Sequence, residues 1–101
     1  MRALHWVELD KRRPALLLTR PEAVRFLSKV TVAPITSTVR GLAVEVAVDR
    51  KHGLNHPGVV NLDNVTTLPR ERLGARIGML RLDQERDVLD ALRAAYGIVL
   101  T

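Results

Sequence analysis

Three hydroxyl side chains stand in a row in "PITSTVRG" (34–41): Thr36, Ser37 and Thr38, with Arg40 and Gly41 close behind. Earlier, "DKRRP" (10–14) sets Lys11, Arg12 and Arg13 against a proline. Arginine presents a planar fork of N–H donors that matches phosphate oxygens, and hydroxyls donate to the same oxygens. If the two stretches converge, they can hold a phosphodiester and neutralise charge growing on it. A purely structural role is the alternative. Thr36, Ser37 and Thr38 can close a turn through side-chain to backbone bonds, and Arg13 can pair with Glu8 or Asp10 at a strand mouth.

Other chemistries find less support. His52 and His56 are four apart, a spacing that gathers two metal ligands only on a helix, and Gly53 and Pro57 argue for a loop there. His5 stands beside Trp6 in an alternating stretch and reads as a structural or surface residue. The chain has no cysteine, hence neither a thiolate metal site nor a disulfide framework. A glycine-rich phosphate loop and a nucleophile elbow are both missing. Carboxylates outside the helical segments are too few for a two-metal nuclease centre, so no metal and no other cofactor is expected. RNA can be cut without one, because its 2′-hydroxyl is an internal nucleophile. The protein then has to align that hydroxyl, stabilise charge on the phosphoryl oxygens and assist proton transfer.

Charge is compatible with such a target. Lysine and arginine number 16 against 11 acidic residues, a net charge of +5, and 13 of the 16 are arginine. A small basic domain of this kind binds RNA or DNA, or is docked by an acidic partner. Codon bias in a GC-rich genome would produce the same arginine excess. Apolar residues make up 47% of the chain, enough for one modest core, and the scarcity of aromatics means that core is Val, Leu, Ile and Ala. No apolar run reaches membrane-spanning length, and "MRALHWVELDKRR" lacks the apolar stretch of a signal peptide. The expectation is one domain, residues 1–101, in the cytoplasm.

The elements that must position these residues follow from periodicity. Residues 3–9, 14–20, 29–35, 41–49 and 75–80 read as strands, with Pro14 at a strand start and Leu42, Val44, Val46 and Val48 in phase on one face. Residues 59–68 are β-rich but interrupted by Asn61, Asp63 and Asn64. A short helix is expected over 20–28, a single helical turn over 69–74, and a mobile loop over 48–58. The tail "LDQERDVLDALRAAYG" (82–97) changes period to a helix, with Asp83 as cap, Val88, Leu92 and Ala95 on one stripe, and Gly97 at its end. Short strands followed by a helix predict an α+β domain with the sheet curled into a small barrel.

Three segments in this order and spacing resemble the MazF/PemK (Kid) family of bacterial toxin endoribonucleases: "RRPALLLT" (12–19), "VAPITSTVRGLAVEV" (32–46) and "GVVNLDNVTTLPRERLGARIGML" (58–80). The last helix also matches, so the resemblance spans residues 4–98. It implies an SH3-like curled antiparallel β-barrel with a C-terminal helix, shared with the gyrase poison CcdB. It also implies a homodimer that cuts single-stranded RNA without metal, leaving a 2′,3′-cyclic phosphate and a 5′-hydroxyl, and that is neutralised by an acidic MazE-like antitoxin. The family's catalytic arginine falls on Arg13 and its threonine on Thr36. Asn64 takes the place of a polar amide that lines the site, while Ser37, Thr38 and Arg40 would grip the flanking RNA backbone, with Lys11 and Arg12 nearby. "DKRR" stands where many relatives carry a long Gly/Ser/Glu-containing loop, so the resemblance assigns no general base, and Glu8, Asp10 and a water all stay open for that part. A CcdB-like protein-binding toxin, or an inactive copy that only binds antitoxin, is the alternative. The Arg–Pro strand start and the Thr-rich turn favour the ribonuclease, since a gyrase poison needs neither.

Overall fold

The computed structural model describes residues 2–100. Among them are seven strands, β1 (Ala3–Glu8), β2 (Arg12–Leu17), β3 (Lys29–Thr36), β4 (Glu45–Val48), β5 (Gly58–Asn61), β6 (Thr66–Pro69) and β7 (Leu73–Met79), followed by one α-helix, α1 (Glu85–Tyr96). All pairings are antiparallel, in the spatial order β4-β5-β3-β2-β1-β7, with β6 also on β3. The eight-residue β3 is the branch point. One edge pairs with β2; the other is shared, Lys29–Val32 with β6 and Ile35–Thr36 with β5. The sheet therefore curls and splits where β5 hands over to β6 through a 3-10 turn at Leu62–Asn64.

Alternation on β3 serves two cores at once. Val30 and Val32 join Val7, Ala15, Leu17 and Leu68 in one cluster, whereas Ala33 and Ile35 face the other, with Leu4, Leu16, Val60, Leu62 and the helix residues Val88 and Ala91. Each such Val, Leu or Ile stabilises the fold by about 1.5–3 kcal/mol relative to exposure. The curled sheet with its C-terminal helix is the architecture the sequence predicts, a half-barrel.

Several boundaries differ, each for a local reason. β2 begins at Arg12, so Pro14 lies inside the strand opposite Trp6; β3 takes up the other edge only from Ala15, and a missing N–H costs least where an edge is free. The helix expected over 20–28 reduces to a 3-10 turn at Pro21–Ala23, because only Ala23 is buried and Phe26 points to solvent. β4 starts at Glu45 rather than 41. The Glu45 carboxylate accepts the N–H groups of Arg40 (3.2 Å) and Leu42 (3.1 Å), holding residues 40–42 in a loop with Leu42 exposed. Asp83 does not cap α1; it pairs with Arg81, and Gln84 occupies the cap position, while Gly97 ends the helix at φ 64° as expected.

The expected mobile loop over 48–58 is pinned. Asp49 caps a 3-10 turn at Arg50–His52, and Gly53 follows at φ 92°, where any Cβ would collide with the Ile77 carbonyl. His52 is buried. Its Nδ1 accepts the Asp49 N–H at 3.0 Å, which puts the ring proton on Nε2, and Nε2–H donates to Gln84 Oε1 at 2.6 Å. Gln84 Nε2 in turn donates to the Ala47 carbonyl at 3.0 Å, tying the base of α1 to β4. Arg50 Nε donates to the Asn55 carbonyl at 3.2 Å and fixes the loop's far side.

Candidate active site

Because β2 and β3 run antiparallel, the start of one and the end of the other share one end of the sheet. Their ladder pairs Ala15 with Pro34. Continuing that register by two residues sets Arg13 across from Thr36. Two clefts flank this pair. The larger, about 440 Å³, is lined by Arg13, Thr36, Thr38, Arg40, Glu45, Asn61, Asn64 and Thr66. The smaller, about 310 Å³, lies toward Trp6, Ser37 and the loop Leu54–Gly58. Arg13, Ile35 and Thr36 line both and so form the ridge between them.

The local bonds leave donors free on that ridge. Thr36 Oγ1 accepts the Thr38 N–H at 3.1 Å, so its own hydroxyl proton remains available to an incoming oxygen. Arg13 donates from Nε to Asp10 Oδ1 at 2.8 Å and from Nη2 to Oδ2 at 3.0 Å, leaving Nη1 without an intramolecular acceptor among the described residues. The hydrogen bond from Arg13 is the main reason the Asp10 carboxyl lies well below the usual carboxylate range, and the same bond raises the Arg13 guanidinium. With both carboxylate oxygens accepting from Arg13, Asp10 is placed to orient it. The pair is solvent-exposed and its contribution is geometric more than energetic.

Of the other sequence candidates, Thr38, Arg40 and Asn64 line the larger cleft and Ser37 the smaller. Lys11 and Arg12 line neither; the Arg12 guanidinium lies 4.7 Å over the Trp6 ring. Asn61, Glu45, Thr66 and, across the ridge, Asn55 and His56 are lining residues that sequence reading passed over. Asn61 had a usable signal. It and Asn64 are three apart around a 3-10 turn, which puts them on the same side, and Asn61 Oδ1 caps that turn by accepting the Asp63 N–H at 2.9 Å. Among the described residues no three His, Asp or Glu side chains gather in a group able to hold a metal.

Residues 6–96 match the family described as "PemK-like, MazF-like toxin of type II toxin-antitoxin system". The chain belongs to this family. Within the PemK/MazF toxins, endoribonuclease MazF3 of Mycobacterium tuberculosis is 50% identical over 98 residues, covering 97% of this chain and 95% of that protein. Probable endoribonuclease MazF5 of the same organism is 36% identical over 93 residues, covering 89% and 85%. The Mycobacterium tuberculosis toxin MazF-mt6 superposes with a TM-score of 0.95 at 48% identity, over 98% of this chain and all of that one. A crystal structure of MazE–MazF from Deinococcus radiodurans superposes at 0.79 with 25% identity, over 96% of this chain and 93% of that one. The three sequence segments that carry the resemblance lie within the matched span, and the half-barrel with its helix is the PemK/MazF toxin fold.

Proposed function

We propose that this chain is a metal-independent endoribonuclease toxin acting on single-stranded RNA. The observation that carries the reading is the meeting of Arg13 and Thr36, drawn from two neighbouring strands, on a ridge between two open clefts. A strand of RNA laid across the ridge puts one phosphodiester against both donors, with a nucleotide on either side. The 2′-oxygen attacks the adjacent phosphorus, an O2′–P bond forms, and the P–O5′ bond breaks, leaving a 2′,3′-cyclic phosphate and a 5′-hydroxyl. Arg13 and the Thr36 hydroxyl stabilise the negative charge that grows on the equatorial oxygens. Asp10 holds the Arg13 guanidinium by Nε and Nη2, which leaves Nη1 to the phosphate. Water in the open clefts takes the 2′ proton and supplies the proton that the 5′-oxygen gains. Thr38, Arg40, Asn61 and Asn64 line the path of the flanking backbone, where phosphate and sugar contacts set the position of the strand.

The net charge of +5 suits an acidic antitoxin segment that competes for the same basic cleft. The MazE–MazF structure from Deinococcus radiodurans, a relative with the same fold, supports that partner class. A second copy of the chain is expected to cover apolar side chains left exposed on and after α1, such as Leu89 and Ile98.

The test uses purified protein and a mixed-sequence single-stranded RNA in excess EDTA, with Arg13→Ala and Thr36→Ala alongside. Discrete cleavage with 5′-hydroxyl ends is expected. Arg13→Ala should abolish it and Thr36→Ala should slow it by about 10²–10³-fold, the range for losing one charge-stabilising donor. Cleavage that requires a divalent ion, or that survives Arg13→Ala unchanged, removes this mechanism.

A further inference from the structure

The smaller cleft has no part in holding the phosphate beyond the ridge it shares, yet its construction is specific. Its lining is divided between apolar side chains, Trp6, Pro14, Leu54 and Pro57, and polar ones, which away from the ridge are Ser37, Asn55 and His56. Leu54, Asn55, His56 and Pro57 all belong to the loop that Gln84, His52, Gly53 and Arg50 hold in place. A loop of that length with two glycines and a proline would ordinarily move. Here several independent contacts fix it, while the side chains of Asn55 and His56 make no hydrogen bond to any described residue. Both side chains are exposed. The loop is fastened by contacts where it meets the fold and chemically unspent where it meets the cleft.

We propose that this cleft receives the nucleobase immediately next to the scissile phosphate and that Asn55 and His56 read its edge. The inference rests on the endoribonuclease reading above and deepens it by assigning a source of sequence choice. Single-stranded RNA is recognised chiefly through unstacked bases placed on aromatic or apolar surfaces and hydrogen-bonded along their edges. A pocket lined in equal part by apolar and polar groups can take a base's face against the first and its edge against the second. Trp6 supplies the aromatic surface, and Arg12 over its ring holds the indole in place. An amide carries two donors and an acceptor, so Asn55 can pair with a base edge in two directions. Because Arg13 and Thr36 line this cleft as well, a base inside it belongs to a nucleotide that bears the phosphate they hold. Preorganising the loop lowers the ordering cost of binding, which gives a physical reason for so much structure behind it.

The test has two arms, using wild type and the Asn55→Ala/His56→Ala double variant. In the first, a randomised single-stranded RNA pool is cleaved and the ends are sequenced. The double variant should lose discrimination at one position flanking the cut by about tenfold, the scale of one good base-edge pair, while preferences farther away persist. In the second arm, oligoribonucleotides carrying a 2′-deoxy sugar at the cut position are titrated against the fluorescence of Trp6, the sole tryptophan. Binding should change that emission in wild type, and the base dependence of the change should vanish in the variant. Unaltered preference and an unaltered Trp6 response in the variant overturn the assignment and leave the endoribonuclease reading standing. A base-dependent Trp6 response without any cleavage does the reverse: it supports the base pocket and rejects the nuclease. Neither cleavage nor a Trp6 response rejects both.

Discussion

Replacing Gln84 by leucine, a side chain of similar size with no polar atoms, probes the contact that joins the helix to the recognition loop. Gln84 is only 6% exposed and makes two hydrogen bonds, accepting from His52 Nε2–H at 2.6 Å and donating to the Ala47 carbonyl at 3.0 Å. His52, itself 3% exposed, would keep a buried N–H with no acceptor, at about 1–3 kcal/mol. The Ala47 carbonyl sits nearer the surface and water can replace part of its bond, so its loss adds about 0.5–1 kcal/mol. Gln84→Leu should therefore cost about 1.5–4 kcal/mol, a large part of the roughly 5–15 kcal/mol that such a domain possesses. At about 4–8 °C per kcal/mol for a chain of this size, the melting temperature should fall by at least about 6 °C. Urea unfolding followed by far-ultraviolet circular dichroism measures the change. His52→Leu should cost a similar amount, and the double variant should cost less than the two together by about 1 kcal/mol or more, because the bond they share is lost only once. A single-variant loss below about 0.5 kcal/mol, or strictly additive losses, would refute the idea that this buried pair fastens the loop.

Asp10→Asn removes the charge that steers Arg13 while keeping the side chain's shape. Cleavage should slow by about tenfold, chiefly in kcat, with circular dichroism unchanged, since misplacing a catalytic group by a fraction of its productive geometry has effects of this order. An unchanged rate would remove Asp10 as the positioning residue. Glu85 is held below its usual carboxylate range, first by its hydrogen bond from Arg2, at 2.6 Å from Nη2. A depressed folded-state pKa contributes stability above the unfolded value near 4.5 and loses it as pH falls through the lower folded value. Partial exposure reduces the gain, so Glu85→Gln should cost about 0.5–1 kcal/mol at pH 7, and the deficit should shrink toward zero in acid unfolding titrations below pH 4.

What the sequence made legible was whatever is written locally. β3 carries its alternation in consecutive residues, and Gly97 announces a helix end with no help from elsewhere. Arg13 and Thr36 stand out as candidates because each sits in a distinctive short stretch. Their facing each other depends on a strand register that neither stretch contains. The loop 49–58 shows the opposite case. Gly53, Pro57 and Gly58 are turn signals, and on those signals alone the segment reads as free to move. The residue that holds it, Gln84, is 32 positions away from His52, in a stretch that reads simply as the start of a helix. Glu45 misled in the same way. By pattern it belongs to a strand running from 41, but its carboxylate serves the backbone of Arg40 and Leu42, and the strand cannot start until that loop has closed. Asp83 was chosen as the helix cap on its type, yet Arg81, two residues back, claims its carboxylate instead.

The order in which β3 collects its partners bears on how the chain is made. Arg13 and Thr36 leave the ribosome early, on the first three strands. Asn61, Asn64 and Thr66, which wall the larger cleft, come from the later half, and Gln84 follows β7, the last strand to be made. At about 5–20 residues per second, the stretch from Thr36 to Thr66 takes about 1.5–6 s, and for that interval the pair exists without the far wall of the larger cleft. On the proposed reading, a nascent chain therefore carries Arg13 and Thr36 before the wall of the RNA path exists. The delay is built into the order in which the sheet's strands occur along the chain.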